Sequence, residues 1–136
     1  MFRKLTIGLI LIFAGYSSCN LFPKINCSDC KFNEPDSADI KMLFTINSEN
    51  PRVPLVVYRG KVEDSLVDWV DTTHTETLYL YVKTGQYYSV VAKYKAGAKT
   101  IYAVDGDKII VQNEADYCNE TCYIVTNNEL DIRLKE

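Results

Sequence analysis

The sequence predicts an all-β protein, an antiparallel β-sandwich of about seven to nine strands that follows an N-terminal signal and a tether. Two observations favour this fold class. Residues typical of strands are abundant, including ten tyrosines, and apolar residues recur with a period of two in successive short stretches. The chain has no alternating strand and helix pattern of the kind that builds a parallel sheet.

The first nineteen residues, "MFRKLTIGLILIFAGYSSC", have the order of an export signal. Arg3 and Lys4 form a basic start, residues 5–15 form an apolar run, and two serines precede Cys19. The run is shorter than the roughly 20 residues that span a bilayer. We therefore predict a signal peptide over residues 1–18; a secretory signal cleaved elsewhere and a buried helix of the domain are the alternatives.

The segment Tyr16-Ser17-Ser18-Cys19 resembles the cleavage box of bacterial lipoproteins, which usually reads Leu, a small residue, Gly or Ala, and Cys. Its looser form is similar to the boxes of Bacteroidota lipoproteins. The resemblance implies that Cys19 is acylated, with palmitate among its chains, and holds the protein in the cell envelope at the outer membrane. Each buried methylene contributes about 0.8 kcal/mol, so the two or three chains of a lipoprotein suffice for stable attachment.

Residues 19–37 read as a tether, because Pro23 and Pro35 interrupt a mostly polar stretch. The sandwich domain is then expected over residues 38–136. Loss of Arg3 and Lys4 with the signal changes the formal net charge from −3 to −5. An acidic chain without a cluster of basic residues does not favour nucleic acid as a partner.

Five stretches of the predicted domain place apolar residues on one face at alternate positions. The inward-facing positions predicted in this way are Ile40, Met42, Phe44 and Ile46; Val53, Leu55 and Val57; Leu78, Leu80 and Val82; Tyr88, Val90, Ala92 and Tyr94; and Leu130, Ile132 and Leu134. "SLVDWVD" is expected to form a shorter strand, and two further hairpins are expected around Asp105-Gly106 and Asn127-Asn128.

One hairpin can be given a register. A three-residue loop at 83–85 needs a left-handed third residue, which Gly85 supplies. Val82 would then pair with Gln86, Leu80 with Tyr88, and Leu78 with Val90. This register would place Tyr79, Tyr81 and Tyr87 together on the outer side of one sheet. Stabilisation of the sheet by cross-strand aromatic pairs is the main interpretation of this face, and a binding face on which sugar rings stack is the alternative.

The stretch "TGQYYSVVAKY" also resembles a strand of the small extracellular sandwiches of the transthyretin-like and carboxypeptidase-regulatory-like groups. The whole chain resembles the small lipoproteins of Bacteroidota, and neither resemblance implies an activity.

Four cysteines form two close pairs, "CSDC" with Cys27 and Cys30 and "CNETC" with Cys118 and Cys122. An even number of cysteines in an exported chain predicts two disulfides. Three connectivities are possible, and crossed bridges between the pairs are favoured because they close the longer loops. Free thiols and a four-cysteine zinc site remain the alternatives.

Three tripeptides, "DSA", "DSL" and "DTT", are similar to the pattern at which exported Bacteroidota proteins are O-glycosylated. The resemblance implies that Ser37, Ser65 and Thr72 are the acceptors, and all three are expected in loops.

The sequence contains no catalytic motif, and we predict neither an enzyme, a cofactor nor a metal site. His74, the single histidine, reads as an exposed loop residue, and the acidic residues between 63 and 71 read as a solvated face. The predicted function is a lipid-anchored, non-enzymatic envelope lipoprotein that acts as a binding or assembly module. Its partners would be the membrane, through the lipid, and a glycan or another envelope protein. A structural subunit of an envelope or pilus-like assembly and a small hydrolase are the alternatives.

Overall fold

The computed structural model describes residues 26–135, so Cys19 and the stretch that resembles a signal peptide lie outside the described residues. Most of this part of the chain is strand. Its nine strands are β1 (Ser37–Leu43), β2 (Val53–Arg59), β3 (Val67–Thr73), β4 (Thr77–Lys83), β5 (Tyr87–Ala96), β6 (Lys99–Lys108), β7 (Ile110–Asn113), β8 (Tyr123–Thr126) and β9 (Glu129–Asp131). The helical elements are two short 3-10 turns, Cys27–Asp29 and Val62–Asp64, and one four-residue helix, α1 (Ala115–Cys118).

The strands form two packed sheets and one separate hairpin, which confirms the all-β sandwich. One sheet has three strands in the order β4-β1-β9, and the other has four in the order β3-β2-β5-β6. Among the described strands, β7 and β8 pair with each other and with no third strand. Among the described strands, β1 and β9 make the one parallel pairing, while the other pairs are antiparallel.

The core lies between the two sheets, and its members are the alternate positions that the sequence predicts. The fully or almost fully buried side chains of the predicted faces are Ile40, Met42, Phe44, Val53, Leu55, Val57, Val82, Tyr88, Val90, Ala92, Tyr94, Leu130 and Ile132. Ile46, Leu78, Leu80 and Leu134 pack against them and are partly buried. Ile109, which the pattern does not single out, is also completely buried.

The predicted pairing of β4 with β5 as a hairpin is wrong, although the side chains predicted to face the core on each strand do so. Leu80 pairs with Ile40 of β1, whereas Tyr88 pairs with Arg59 of β2 and Asp107 of β6. The two strands therefore belong to different sheets and face each other across the core. Gly85 does adopt the left-handed conformation expected of it, with φ of 72°.

The Asp105-Gly106 hairpin turn is also wrong. Both residues lie inside β6, where Gly106 pairs with Ser89. The turn lies instead at Gly97, whose φ is 64°, between the paired residues Ala96 and Lys99. A side chain at Gly106 would meet the Tyr88 carbonyl oxygen and the Ser89 Cβ at 2.9 Å, so the glycine serves close packing and not a turn.

The hairpin expected around Asn127-Asn128 does not form. Asn127 has a positive φ of 61°, but it separates two strands with different partners. β8 pairs with β7, and β9 leaves to pair with β1. Because β9 joins β1 while β8 stays with β7, a space is left between β8 and the first residues of β1. The candidate site lies in this space.

The part of the chain that the structure describes contains no helix long and apolar enough to cross a membrane.

Candidate functional site

A groove among the described residues has a volume of about 540 Å³, within the range of small-molecule sites. It lies between the β7–β8 hairpin and the end of the three-stranded sheet at which β1 begins. Its lining combines apolar and polar groups from five separate segments: Asn26, Asp29, Lys31, Ala38, Asp39, Tyr81, Gln112, Glu114, Tyr123, Ile124, Val125, Thr126 and Asn128.

Two disulfides fix one wall of this groove. Cys27 is bonded to Cys118, with 5.6 Å between the Cα atoms, and Cys30 is bonded to Cys122, with 4.7 Å between them. The prediction of two crossed bridges is therefore confirmed. They hold the 3-10 turn Cys27–Asp29, part of the predicted tether, against the base of the hairpin.

The sulfur atoms of Cys27, Cys30 and Cys118 lie within 4.8 Å of one another, which is the one group of possible metal ligands among residues 26–135. All three sulfurs are engaged in disulfides. A disulfide sulfur is not the thiolate that zinc requires, so this oxidised form holds no four-cysteine zinc site.

The backbone of Lys31 extends the same wall. The Lys31 N–H donates to the Tyr123 carbonyl at 3.4 Å, and the Tyr123 N–H donates back to the Lys31 carbonyl at 3.0 Å. This isolated bridge adds one residue to the edge of β8 that faces away from β7. Beyond Lys31 the chain leaves the hairpin and reaches β1 at Ser37.

The opposite wall is the beginning of β1 and its neighbour β4. Asp39 and Tyr81 are cross-strand partners on the outer face of the three-stranded sheet, and both are exposed. The Asn128 side-chain amide donates to the Asp39 carbonyl at 3.0 Å and closes the bottom of the groove. Nearby, Lys41 donates to Glu129 at 3.0 Å, and this hydrogen bond raises the Lys41 pKa and pairs its charge outside the groove.

The three tyrosines of the predicted binding face do not share one face. Tyr79 and Tyr81 lie on the outer side of β4 and are 61% and 70% exposed, but Tyr87 lies on β5 of the other sheet. The grouping is wrong because it depended on the incorrect β4–β5 pairing. Of the three, only Tyr81 lines the groove.

The other residues considered from the sequence lie away from the groove. His74 is exposed in the connection between β3 and β4. Of the acidic residues, Asp68 is paired with Arg59 at 2.6 Å, and Glu63 and Asp64 lie in the exposed 3-10 turn. The pocket that the hydrolase alternative requires, His74 beside two carboxylates, is not this groove.

Two of the three proposed glycan acceptors are not in loops. Ser37 is the half-buried first residue of β1, and Thr72 is exposed on β3. Threonine favours strands, which explains why "DTT" continues β3. Ser65 does lie in a connection, exposed, with a positive φ of 55°.

Sequence reasoning missed most of the groove, including Asp39, Tyr123 and Asn128. These residues are far apart in the chain, and none belongs to a motif. The available signal was the cysteine spacing, because crossed bridges bring residues 26–31 against the hairpin that carries Tyr123.

The fold and the groove define a small, disulfide-stapled β-sandwich with a groove lined by both polar and apolar groups. Comparison of the chain with known protein families, with curated proteins and with solved structures found no match.

Proposed function

We propose that this protein is a lipid-anchored, non-enzymatic lipoprotein of the cell envelope that acts as a binding module. The observation that supports the binding role is the 540 Å³ groove, in which the exposed ring of Tyr81 stands beside amide and carboxylate groups. An aromatic ring next to convergent polar groups is the usual composition of a ligand site.

The rest of the proposal comes from the sequence. Acylation of Cys19 would attach the domain to the outer membrane, and residues 20–25 would connect the lipid to Asn26 at the groove. Sugar on Ser65 and Thr72, whose side chains are exposed, would add a hydrated coat on parts of the surface that do not line the groove. Ser37 is the acceptor with the least access.

The binding role is tested by two matched variants of the full chain, Tyr81→Thr and Tyr79→Thr. Both tyrosines are exposed on the outer side of β4, but only Tyr81 lines the groove. The wild type is screened against a glycan array and a displayed library of random short peptides. We expect a ligand whose affinity falls about tenfold or more with Tyr81→Thr and is unchanged with Tyr79→Thr.

Threonine keeps strand propensity, so both variants should fold. Thermal unfolding of the two variants checks this. Equal loss of binding in both variants, or no ligand in either screen, would contradict the proposal that the groove is the binding site.

A further inference from the structure

We propose that the groove binds an extended polypeptide segment with basic side chains, which pairs through its backbone with those edges of β1 and β8 that no other strand of residues 26–135 covers. This inference rests on the proposed function, since it names the ligand class of the same groove. Its three supports are the backbone groups at each edge, the charge of the lining and the rigidity of the walls.

Within the part of the chain that the structure describes, the edge of β8 that faces away from β7 has no backbone partner beyond Tyr123. The Glu114 N–H donates to the Cys122 carbonyl at 2.6 Å, so Cys122 faces β7, while Tyr123 faces Lys31 on the other side. Successive residues of a strand direct their backbone groups to opposite sides. Val125 therefore directs its N–H and carbonyl away from β7, on the side where the described pairing ends with Lys31.

The facing edge of β1 has no strand partner over its first residues among the described strands. The Lys41 N–H donates to Asn128 at 2.8 Å and the Leu43 carbonyl accepts from Ile132 at 2.9 Å, so odd-numbered residues of β1 face β9. Pairing with β9 covers only Lys41–Leu43. Ser37 and Asp39 direct their backbone groups to the same side as Lys41 and Leu43. Of these groups, the Asp39 carbonyl accepts a hydrogen bond from the Asn128 side chain.

These two edges belong to strands that diverge, and the groove lies between them. Unpaired strand edges are templates for another strand, and addition of a peptide strand supplies their missing hydrogen bonds. A glycan does not present the alternating N–H and carbonyl groups that match such an edge.

The charge of the lining favours a basic peptide. Asp29, Asp39 and Glu114 contribute carboxylates, and Lys31 contributes the single ammonium group. Complementary charge speeds association and discriminates against acidic partners, so lysine or arginine side chains are expected near the carboxylates. The exposed ring of Tyr81 offers an additional face to such cations.

The walls are also held in place before binding. The disulfides fix residues 27–30 to the hairpin, and Asn128 ties the segment between β8 and β9 to β1. Binding of a peptide would therefore cost less conformational entropy of the groove than binding to a mobile strand edge.

The test uses the full chain and the peptides selected from the random library. Selected peptides should be basic, should be free of proline at their centre, and should protect the amide hydrogens of Asp39 and Val125 from exchange with deuterium. The same peptides with alternate N-methylated amides should bind at least about tenfold more weakly, because they cannot complete the strand pairing.

A proline substitution separates strand addition from other binding. Val125→Pro removes the N–H that faces the open edge and leaves the pairing with β7 in place. We expect at least about tenfold weaker binding of the selected peptides. Val70→Pro is the control for proline at a strand edge, because the Val70 N–H also faces away from β2 and Val70 lies outside the groove. Val125 packs against the core whereas Val70 is exposed, so thermal unfolding of both variants accompanies the binding measurement.

A second pair of variants tests the charge. The double variant Asp39→Asn, Glu114→Gln should bind the basic peptides more weakly, and this binding should depend less on salt concentration. Glu63→Gln, in the remote 3-10 turn, should change neither the affinity nor its salt dependence.

The outcomes distinguish this inference from the function on which it rests. Binding of a glycan that needs Tyr81, without binding of peptides, overturns strand addition and keeps the groove as a binding site. Peptide binding that does not protect Asp39 and Val125, or that survives Val125→Pro, also overturns strand addition. Absence of any ligand that needs Tyr81 overturns both.

Discussion

Tyr94 connects the two sheets through its hydroxyl group. The ring is completely buried, its O–H donates to the Ile132 carbonyl at 2.6 Å, and it accepts from the Thr45 N–H at 3.1 Å. Ile132 follows β9 and Thr45 follows β1, so one β5 side chain satisfies two backbone groups of the opposite sheet. Burial raises the pKa of Tyr94 above its ordinary value of 10.0, because the charged form would lose its hydration.

We therefore expect Tyr94→Phe to lower the free energy of unfolding by about 1–3 kcal/mol, since it leaves two buried backbone groups without a partner. The raised pKa also means that folding stability declines as pH rises above 10, where the unfolded state releases the proton first. This decline should be shallower in Tyr94→Phe, with a remainder from Tyr88, whose pKa burial also raises. Urea unfolding at several pH values measures both effects.

Tyr102→Phe is the matched control, because Tyr102 is 62% exposed on the neighbouring strand. It should change stability by less than about 0.5 kcal/mol. Equal effects of the two substitutions, or an unchanged pH dependence in Tyr94→Phe, would contradict the role given to the hydroxyl group.

At the scale of elements, sequence periodicity predicted which faces are buried but not which strands pair. Leu80 and Tyr88 point into the core in the predicted hairpin and in the observed sandwich alike. The alternation of apolar and polar residues shows only which side chains are buried. It therefore does not distinguish two strands joined as a hairpin from two strands that lie in different sheets. The crossing is set by distant partners: the Thr84 N–H donates to Asp36 and the Gly85 N–H donates to Ile109.

The wrong turn at Asp105-Gly106 also reflects contacts with a neighbouring strand. Asp-Gly is a strong hairpin signal on its own, but Gly106 is held inside β6 by its close contact with Tyr88 and Ser89. A glycine can be needed either for the backbone conformation of a turn or for close packing against another strand. Which of the two applies depends on the neighbouring strand, and a local sequence pattern carries no information about that strand.

The two disulfides between the cysteine pairs are an element that the sequence predicted correctly. The bridges span 91 and 92 residues and run side by side. In the chain-entropy treatment, the first bridge closes a long loop and contributes about 4–5 kcal/mol. Once it is closed, the second bridge closes only the short ring between the cysteine pairs and adds about 2–3 kcal/mol.

We therefore expect a non-additive result. Removing Cys27–Cys118 alone, or Cys30–Cys122 alone, by serine substitution should cost about 2–3 kcal/mol, and removing both should cost more than the sum of the two losses. Urea unfolding of the three variants measures this. The unreduced wild type should also be four hydrogens lighter than the reduced protein by mass spectrometry; strictly additive losses or four free thiols would contradict the prediction.

At the scale of the whole molecule, the groove depends on chain segments that only the complete fold brings together. Tyr81 was identified from the sequence, although for an incorrect grouping, whereas Asp39, Tyr123 and Asn128 were not. The site exists because β9 leaves β8 to pair with β1, a long-range parallel pairing that no local pattern announces. The groove therefore also joins the N-terminal segment, which leads back toward Cys19, to the last third of the chain.

The last prediction concerns Cys19, to which this N-terminal segment leads back. The basic start, apolar run and small residues before Cys19 predict that its thiol is acylated and that the mature chain begins there. One acyl chain anchors weakly, and the two or three of a lipoprotein hold a protein on the membrane. Wild-type protein should incorporate labelled palmitate in the native host and partition with detergent, while Cys19→Ala should do neither. Cys30→Ala is the control, since it loses a cysteine of the domain and should still be labelled and membrane-bound. Equal labelling of the wild type and Cys19→Ala would contradict the anchor.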